Sequence, residues 1–129
     1  MKCVYPIILT KGSKYIIAFV PDFNISTQGE NYATAIEMAR DAIGLMGIDM
    51  EDDGEKLPTP TEIDEIKTES ADDLISLVDV NFTEYRKKND TRSVRRNVTI
   101  PAWLDYEVRK HNINVSATLR SALELRLAE

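Results

Sequence analysis

The chain has 129 residues, 16 basic and 22 acidic side chains, one histidine, one cysteine and a formal net charge of −6. That length suits one domain or two very small ones, and a lone Cys3 excludes an intramolecular disulfide framework. No run reaches the roughly 20 apolar residues that span a bilayer, and the N-terminal MKCVYPIILTKGSKY lacks the apolar core of a secretory signal, so a soluble, cytoplasmic chain with no membrane partner is expected.

Val4–Thr10 and Lys14–Val20 are rich in Ile, Val and Tyr and are separated by Lys11-Gly12-Ser13. Two such runs joined by a short Gly-containing link predict a β-hairpin. Pro21-Asp22 closes the second strand, because proline has no N–H for a ladder, and Ile25–Gln28 predicts a short third strand. Asn31 suits an N-cap. Beyond it Tyr32, Ala35, Ile36, Ala39, Ile43 and Met46 recur at helical spacing, with Glu37, Arg40 and Asp41 on the other face. This helix is expected to fade near Gly47 and to lay one stripe on the sheet.

Asp49–Thr61 is acidic and contains Gly54, Pro58 and Pro60, which predicts a loop. Asp49, Glu51, Asp53 and Gly54 match the early positions of a calcium loop, but position 60, where the last carboxylate ligand belongs, is proline. A solvated acidic loop is expected, with no metal and no cofactor. In Leu74–Phe82, Leu74, Val78, Val80 and Phe82 share one parity and Asp79 and Asn81 the other, the pattern of a strand. Thr83–Ser93 is polar, lacks periodicity and predicts a linker. Residues 1–83 therefore predict a small α+β domain, an antiparallel sheet with a covering helix, followed by a linker over 84–93 and a second domain over 94–129.

The second domain differs in charge. Residues 91–129 carry seven basic side chains against four acidic ones, +3, so residues 1–90 carry −9. An acidic body with a basic tail fits a nucleic-acid-binding tail attached to something with another task. Within the tail, Arg95–Pro101 alternates. As a strand it would turn Val98 and Ile100 one way and Arg95, Asn97 and Thr99 the other. A lone strand has no partner, so the pattern implies a homodimer in which two copies pair into a two-stranded ribbon.

The major groove of B-DNA admits such a ribbon. Arg is suited to guanine O6 and N7, Asn to adenine N6 and N7, and Thr to a hydrogen bond or a thymine methyl. Arg95, Asn97 and Thr99 are thus the candidate base readers of an operator duplex. Pro101 suits a helix start, and Asn112-Ile113-Asn114 suits a break in which Asn tolerates positive φ. Ser116 is expected to cap a second helix, leaving amides around Ser116 and Ala117 for a DNA phosphate. Val98, Ile100, Trp103, Leu104, Val108, Leu119 and Leu123 form the expected dimer core; below about 40 residues a domain seldom holds a core alone.

The tail RRNVTIPAWLDYEVRKHNINVSATLRSALELRLAE resembles the Arc/MetJ/CopG ribbon-helix-helix repressors. The resemblance implies base contacts at Arg95, Asn97 and Thr99 and a phosphate contact at Ser116. Arg96 departs from the pattern by lying on the inward parity. The front half, through YPIILTKGSKYIIAFVPDF, STQGENYATAIEMARDAIGLMG and Pro58-Thr59-Pro60, resembles the HicB antitoxin family. Val20-Pro21-Asp22, Thr27-Gln28-Gly29 and the Ala-rich Ala35–Ala42 stand in the family's places. That resemblance implies an incomplete ribonuclease-H-like fold that binds and blocks a small basic HicA-like toxin, an mRNA-cleaving ribonuclease, while the tail represses the operon encoding both. Dimers or tetramers are both compatible with it.

Two rivals stand beside this reading. One is a ribbon-helix-helix repressor whose front domain senses a small ligand; the other is a nuclease or hydrolase targeted by the tail. Catalysis is not expected: the only histidine, His111, stands at the end of a tail helix, where the dipole favours it, so residues 1–90 hold neither a Ser-His-Asp nor a Cys-His set. Cys3 is expected to pack rather than react.

Overall fold

The computed structural model describes residues 2–128. Its elements are β1 (Lys2–Lys11), β2 (Ile16–Val20), β3 (Ile25–Gly29), α1 (Tyr32–Asp52), β4 (Leu74–Asn81), α2 (Phe82–Asn89), α3 (Ala102–Lys110) and α4 (Val115–Ala128), with a 3₁₀ turn at Ile63–Glu65. The chain divides into two compact units between Arg92 and Ser93.

The first unit is a four-stranded sheet in the order β3-β2-β1-β4, antiparallel throughout, with Ile8 opposite Phe19, Val20 opposite Ile25 and Tyr5 opposite Val78. β1 is paired to β2 only over Ile8–Lys11. Pro6, with no N–H to offer a ladder, therefore lies where β1 has one neighbouring strand. The β2–β3 turn closes with Asn24 at φ 52° and its amide donating to the Pro21 carbonyl, a left-handed position that Asn tolerates.

Alternation along the strands sends Tyr5, Ile7 and Leu9, Ile16, Ala18 and Val20, and Val78 and Val80 to one face. All of them are buried there with Ala35, Ala39 and Ile43 of α1. The helix begins as expected, with the Asn31 side chain accepting from the Thr34 amide at 2.8 Å. Small residues on its inner face let it lie close to the sheet. At Gly29 a Cβ would sit 2.4 Å from the Ala35 nitrogen, so the end of β3 meets the first turn of α1 at a distance only glycine allows.

Two expectations fail in one place for one reason. The helix does not fade at Gly47; it continues to Asp52, taking Asp49–Asp52 out of the expected loop. Phe82, expected to end the strand, and residues 83–89, expected to begin a polar linker, form α2 instead. The two helices pack together. A Cβ on Gly44 would fall 2.7 Å from the Tyr85 ring, and one on Gly47 would fall 2.2 Å from the Phe82 ring. The glycines are thus sockets for two aromatic rings three residues apart on α2, and the rings recover the helix propensity, about 1 kcal/mol each, that glycine forfeits. Asn81 caps α2 through the Glu84 amide at 3.1 Å, and the Tyr85 hydroxyl donates to Asp41. Arg86 bridges Glu51 at 3.6 Å and Asp52 at 2.9 Å, placing a cation where the carboxylates meet the negative end of the α1 dipole.

The loop after α1 is tied back to this core. Leu57 packs on it, the Tyr5 hydroxyl donates to the Pro58 carbonyl at 2.8 Å, and Asp22 accepts from the Thr61 hydroxyl at 2.6 Å and amide at 3.1 Å. Asp22 of the Pro21-Asp22 motif thus meets Thr61, the residue that follows Pro58-Thr59-Pro60.

The second unit holds α3 and α4. The turn between them has Asn112 at φ 51°, with the Ile113 amide returning to the Val108 carbonyl at 3.1 Å and the Asn112 amide to the Arg109 carbonyl at 3.2 Å. This double closure is a Schellman ending and places the positive φ at Asn112, one of the two asparagines of the expected break.

Candidate functional site

Residues 90–101 belong to neither a helix nor a strand. The segment expected to be a strand, Arg95–Pro101, finds no ladder among the described residues of its own chain, since a strand exists only through its neighbour. Arg95, Asn97 and Thr99 are exposed there, and so are the apolar Val98 at 56% and Ile100 at 39%.

None of the described residues of the second unit is buried. Leu104 and Val108, one turn apart on α3, are half-buried. Trp103, the neighbouring position, lies off that stripe and is 68% exposed; Leu119 and Leu123 of α4 are also exposed. A groove of about 720 Å³ is lined by Val94, Leu119, Leu123 and Leu127 together with Arg95 and Arg96. These apolar side chains stand at helical spacing with no buried core among the described residues of the unit.

The start of α4 differs from expectation. Its cap is Asn114, whose side-chain oxygen accepts from the Ala117 amide at 3.0 Å while its carbonyl accepts from the Thr118 amide and hydroxyl. Ser116 lies two residues too late to cap, because Val115 is already helical. The Ala117 amide is therefore committed within the chain, and of the two expected phosphate contacts only Ser116 keeps a side chain with no capping duty. Asn114 was legible in the sequence: Asn-x-x-Thr suits a helix start as well as Ser116 does.

In the first unit the carboxylates are segregated. Of its acidic residues only Asp79 lies in a strand. Arg40 reaches Asp79 at 3.1 Å and Lys2 reaches it at 3.4 Å; the Arg40 bond, then the Lys2 bond, holds its carboxyl below the usual value of 3.8. Exposed Glu37, Asp41 and Asp49 lie along α1, with Glu51, Asp52, Asp53 and Glu55 at and beyond its end. Among the described residues no group of three or more His, Cys, Asp or Glu side chains is placed to hold a metal ion. No described helix is long and apolar enough to cross a membrane.

The chain matches, over residues 5–128, the family described as the HicB-like antitoxin of bacterial toxin-antitoxin systems. No curated protein sequence matches it. Among solved structures it is similar to the crystal structure of the Burkholderia pseudomallei antitoxin HicB, at 28% identity, covering 95% of this chain and 98% of that one, TM-score 0.57. A toxin-antitoxin complex from Streptococcus pneumoniae shares the fold at 24% identity, covering 98% and 99% of the two chains, TM-score 0.62. A HicA3–HicB3 toxin-antitoxin complex shares it at 20% identity over 61% of this chain and 99% of that one, TM-score 0.51.

Proposed function

Because this chain belongs to the HicB-like antitoxin family, we propose that its acidic first unit binds and inhibits a HicA-like, mRNA-cleaving toxin. We propose in addition that its second unit dimerises into a ribbon-helix-helix that represses the operon encoding both proteins. The observation that carries the second part is the absence of any buried side chain among the described residues of that unit. Such a unit needs a second copy to make a core. Pairing two Arg95–Pro101 segments would bury Val98 and Ile100 and array Arg95, Asn97 and Thr99 toward a major groove. For the first part, a body whose residues 1–90 carry −9 is suited to compete with RNA for a basic surface and to speed its capture.

Co-expression with the neighbouring open reading frame tests both parts. The expected result is co-purification of the two products and relief of growth arrest. Arg95→Ala and Thr99→Ala should each weaken operator binding by about 1–3 kcal/mol without loosening the toxin. Operator binding with no toxin partner would favour the ligand-sensing repressor. If a folded Arg95→Ala chain lost both functions together, the division of labour would fail.

A further inference from the structure

Residues 86–96 carry six basic side chains, Arg86, Lys87, Lys88, Arg92, Arg95 and Arg96, against one acidic side chain, Asp90. The first four belong to the first unit. The basic run thus begins on α2, on a body that is otherwise acidic, before the second unit starts.

These cations differ in what holds them. Arg86 is bonded to Glu51 and Asp52. Arg92 closes on Asp90 through Nε at 2.9 Å and Nη2 at 3.0 Å, and its amide donates to the same carboxylate at 3.2 Å. The one carboxylate of the run is therefore spent inside the run. Lys87 and Lys88 are exposed, and neither makes an ion pair or a side-chain hydrogen bond among the described residues. Lys88 follows Glu84 at the i,i+4 spacing that suits an ion pair and borders a groove with Glu37 and Asp41, yet it pairs with none of them. Asp41 is already taken by the Tyr85 hydroxyl. The helix dipole favours cations at this end of α2, but Arg86 already stands there, and the dipole does not require two further ammonium groups.

Charge decides the partner. A basic toxin is repelled by this pair and drawn instead to the carboxylates of α1. Duplex DNA is drawn to it, with one negative charge for about every 1.7 Å of axis. The chain also limits how far the pair can be from the tail. Arg95 follows Asn89, the last residue of α2, by six positions, a span of at most about 20–22 Å fully extended, while a helical turn of duplex is about 34 Å long. Residues 1–90 carry −9, and a body of that charge tied so closely to a duplex is repelled by it. Screening over about 8–10 Å lets only cations close to the phosphates offset that repulsion.

We propose that Lys87 and Lys88 bind backbone phosphates of the DNA flanking the operator bases, outside the groove that the ribbon enters. The proposal rests on the reading of the second unit as the DNA reader, and it gives the first unit a share in the binding. Phosphate contacts position a protein without reading sequence, so Arg95, Asn97 and Thr99 keep the discrimination while the lysine pair adds affinity and salt dependence.

Lys87→Gln/Lys88→Gln in the full-length chain tests this, with circular dichroism as the check on folding; glutamine is about as good a helix former as lysine. The DNA is the region upstream of the chain's own gene, trimmed to the bases the protein protects or extended by about one helical turn on each side. Wild type should bind the extended duplex about tenfold or more tighter than the trimmed one at low salt, and with a steeper salt dependence. The double variant should lose that gain. Its slope of log K against log salt on the extended duplex should be shallower by about 0.9 for each phosphate given up, as much as about 3–4 for the four lysines of a dimer. On the trimmed duplex it should match wild type, with unchanged discrimination against scrambled sequence, and Lys87→Arg/Lys88→Arg should keep the gain. If the double variant unfolds, Lys87→Gln alone takes its place. Equal slopes for wild type and the folded glutamine variant on the extended duplex overturn the proposal and leave the ribbon reading standing; failure of wild type to bind either duplex ends both. Loss of toxin capture with DNA binding unchanged overturns it too, and gives the pair to the toxin.

Discussion

Tyr5 shows how one side chain ties distant segments of the first unit together. It is fully buried, its ring meets Phe23 edge-on at 4.9 Å, and its hydroxyl donates to the Pro58 carbonyl. Burial, with the nearby charges of Cys3 and Asp22, pushes the phenol up to about 12. A raised value favours the protonated, folded form, so this contribution is present below pH 10 and is lost as pH rises from 10 toward 12. Tyr5→Phe should cost about 1 kcal/mol at about pH 8 by leaving the Pro58 carbonyl unpaired. The gap from wild type should close toward pH 12, because phenylalanine has no proton to lose. Urea midpoints measured from about pH 8 upward through that range check this, and a gap that stays constant would refute it.

At the scale of elements, α4 separates two roles that one residue was expected to fill. Asn114 caps the helix; Ser116, inside it, has a hydroxyl with no capping duty. Asn114→Ala should therefore lower stability by about 1 kcal/mol, seen in thermal melts of the full chain. Ser116→Ala should leave the melt unchanged and weaken operator binding. The opposite assignment of effects would restore Ser116 as the cap. The α1–α2 pair teaches a related point. Gly44 and Gly47 look like helix breakers until Phe82 and Tyr85 stand over them, and α2 has too few apolar residues to announce itself except through those rings.

For the whole molecule, the two units differ in how they reach stability. The first closes a core of Tyr5, Ile7, Ile43, Val20, Val78, Val80 and their neighbours within one chain. The second has apolar residues at the right spacing and none buried among those described. Its melting should then depend on protein concentration through mass action, while the first unit's intrachain core should not by itself confer such dependence. Scanning calorimetry over a roughly hundredfold concentration range separates the two: a tail transition that does not move would end the dimer reading. Operator binding should also fall as salt rises, since each phosphate contact releases counterions.

Much of this was legible from local chemistry alone. Alternation located β1, β2 and β4, the Asn31 cap and the Ala35/Ala39/Ile43 spacing located the start and inner face of α1, and Asn112 marked the turn between α3 and α4. These signals are written in neighbouring residues, so a one-dimensional reading recovers them. The end of α1, the existence of α2 and the meeting of Asp22 with Thr61 were decided only in the tertiary structure. Each depends on a contact between residues far apart in the chain, where a ring fills the space above a glycine or a hydroxyl reaches a carboxylate, and no local pattern records which distant group will arrive.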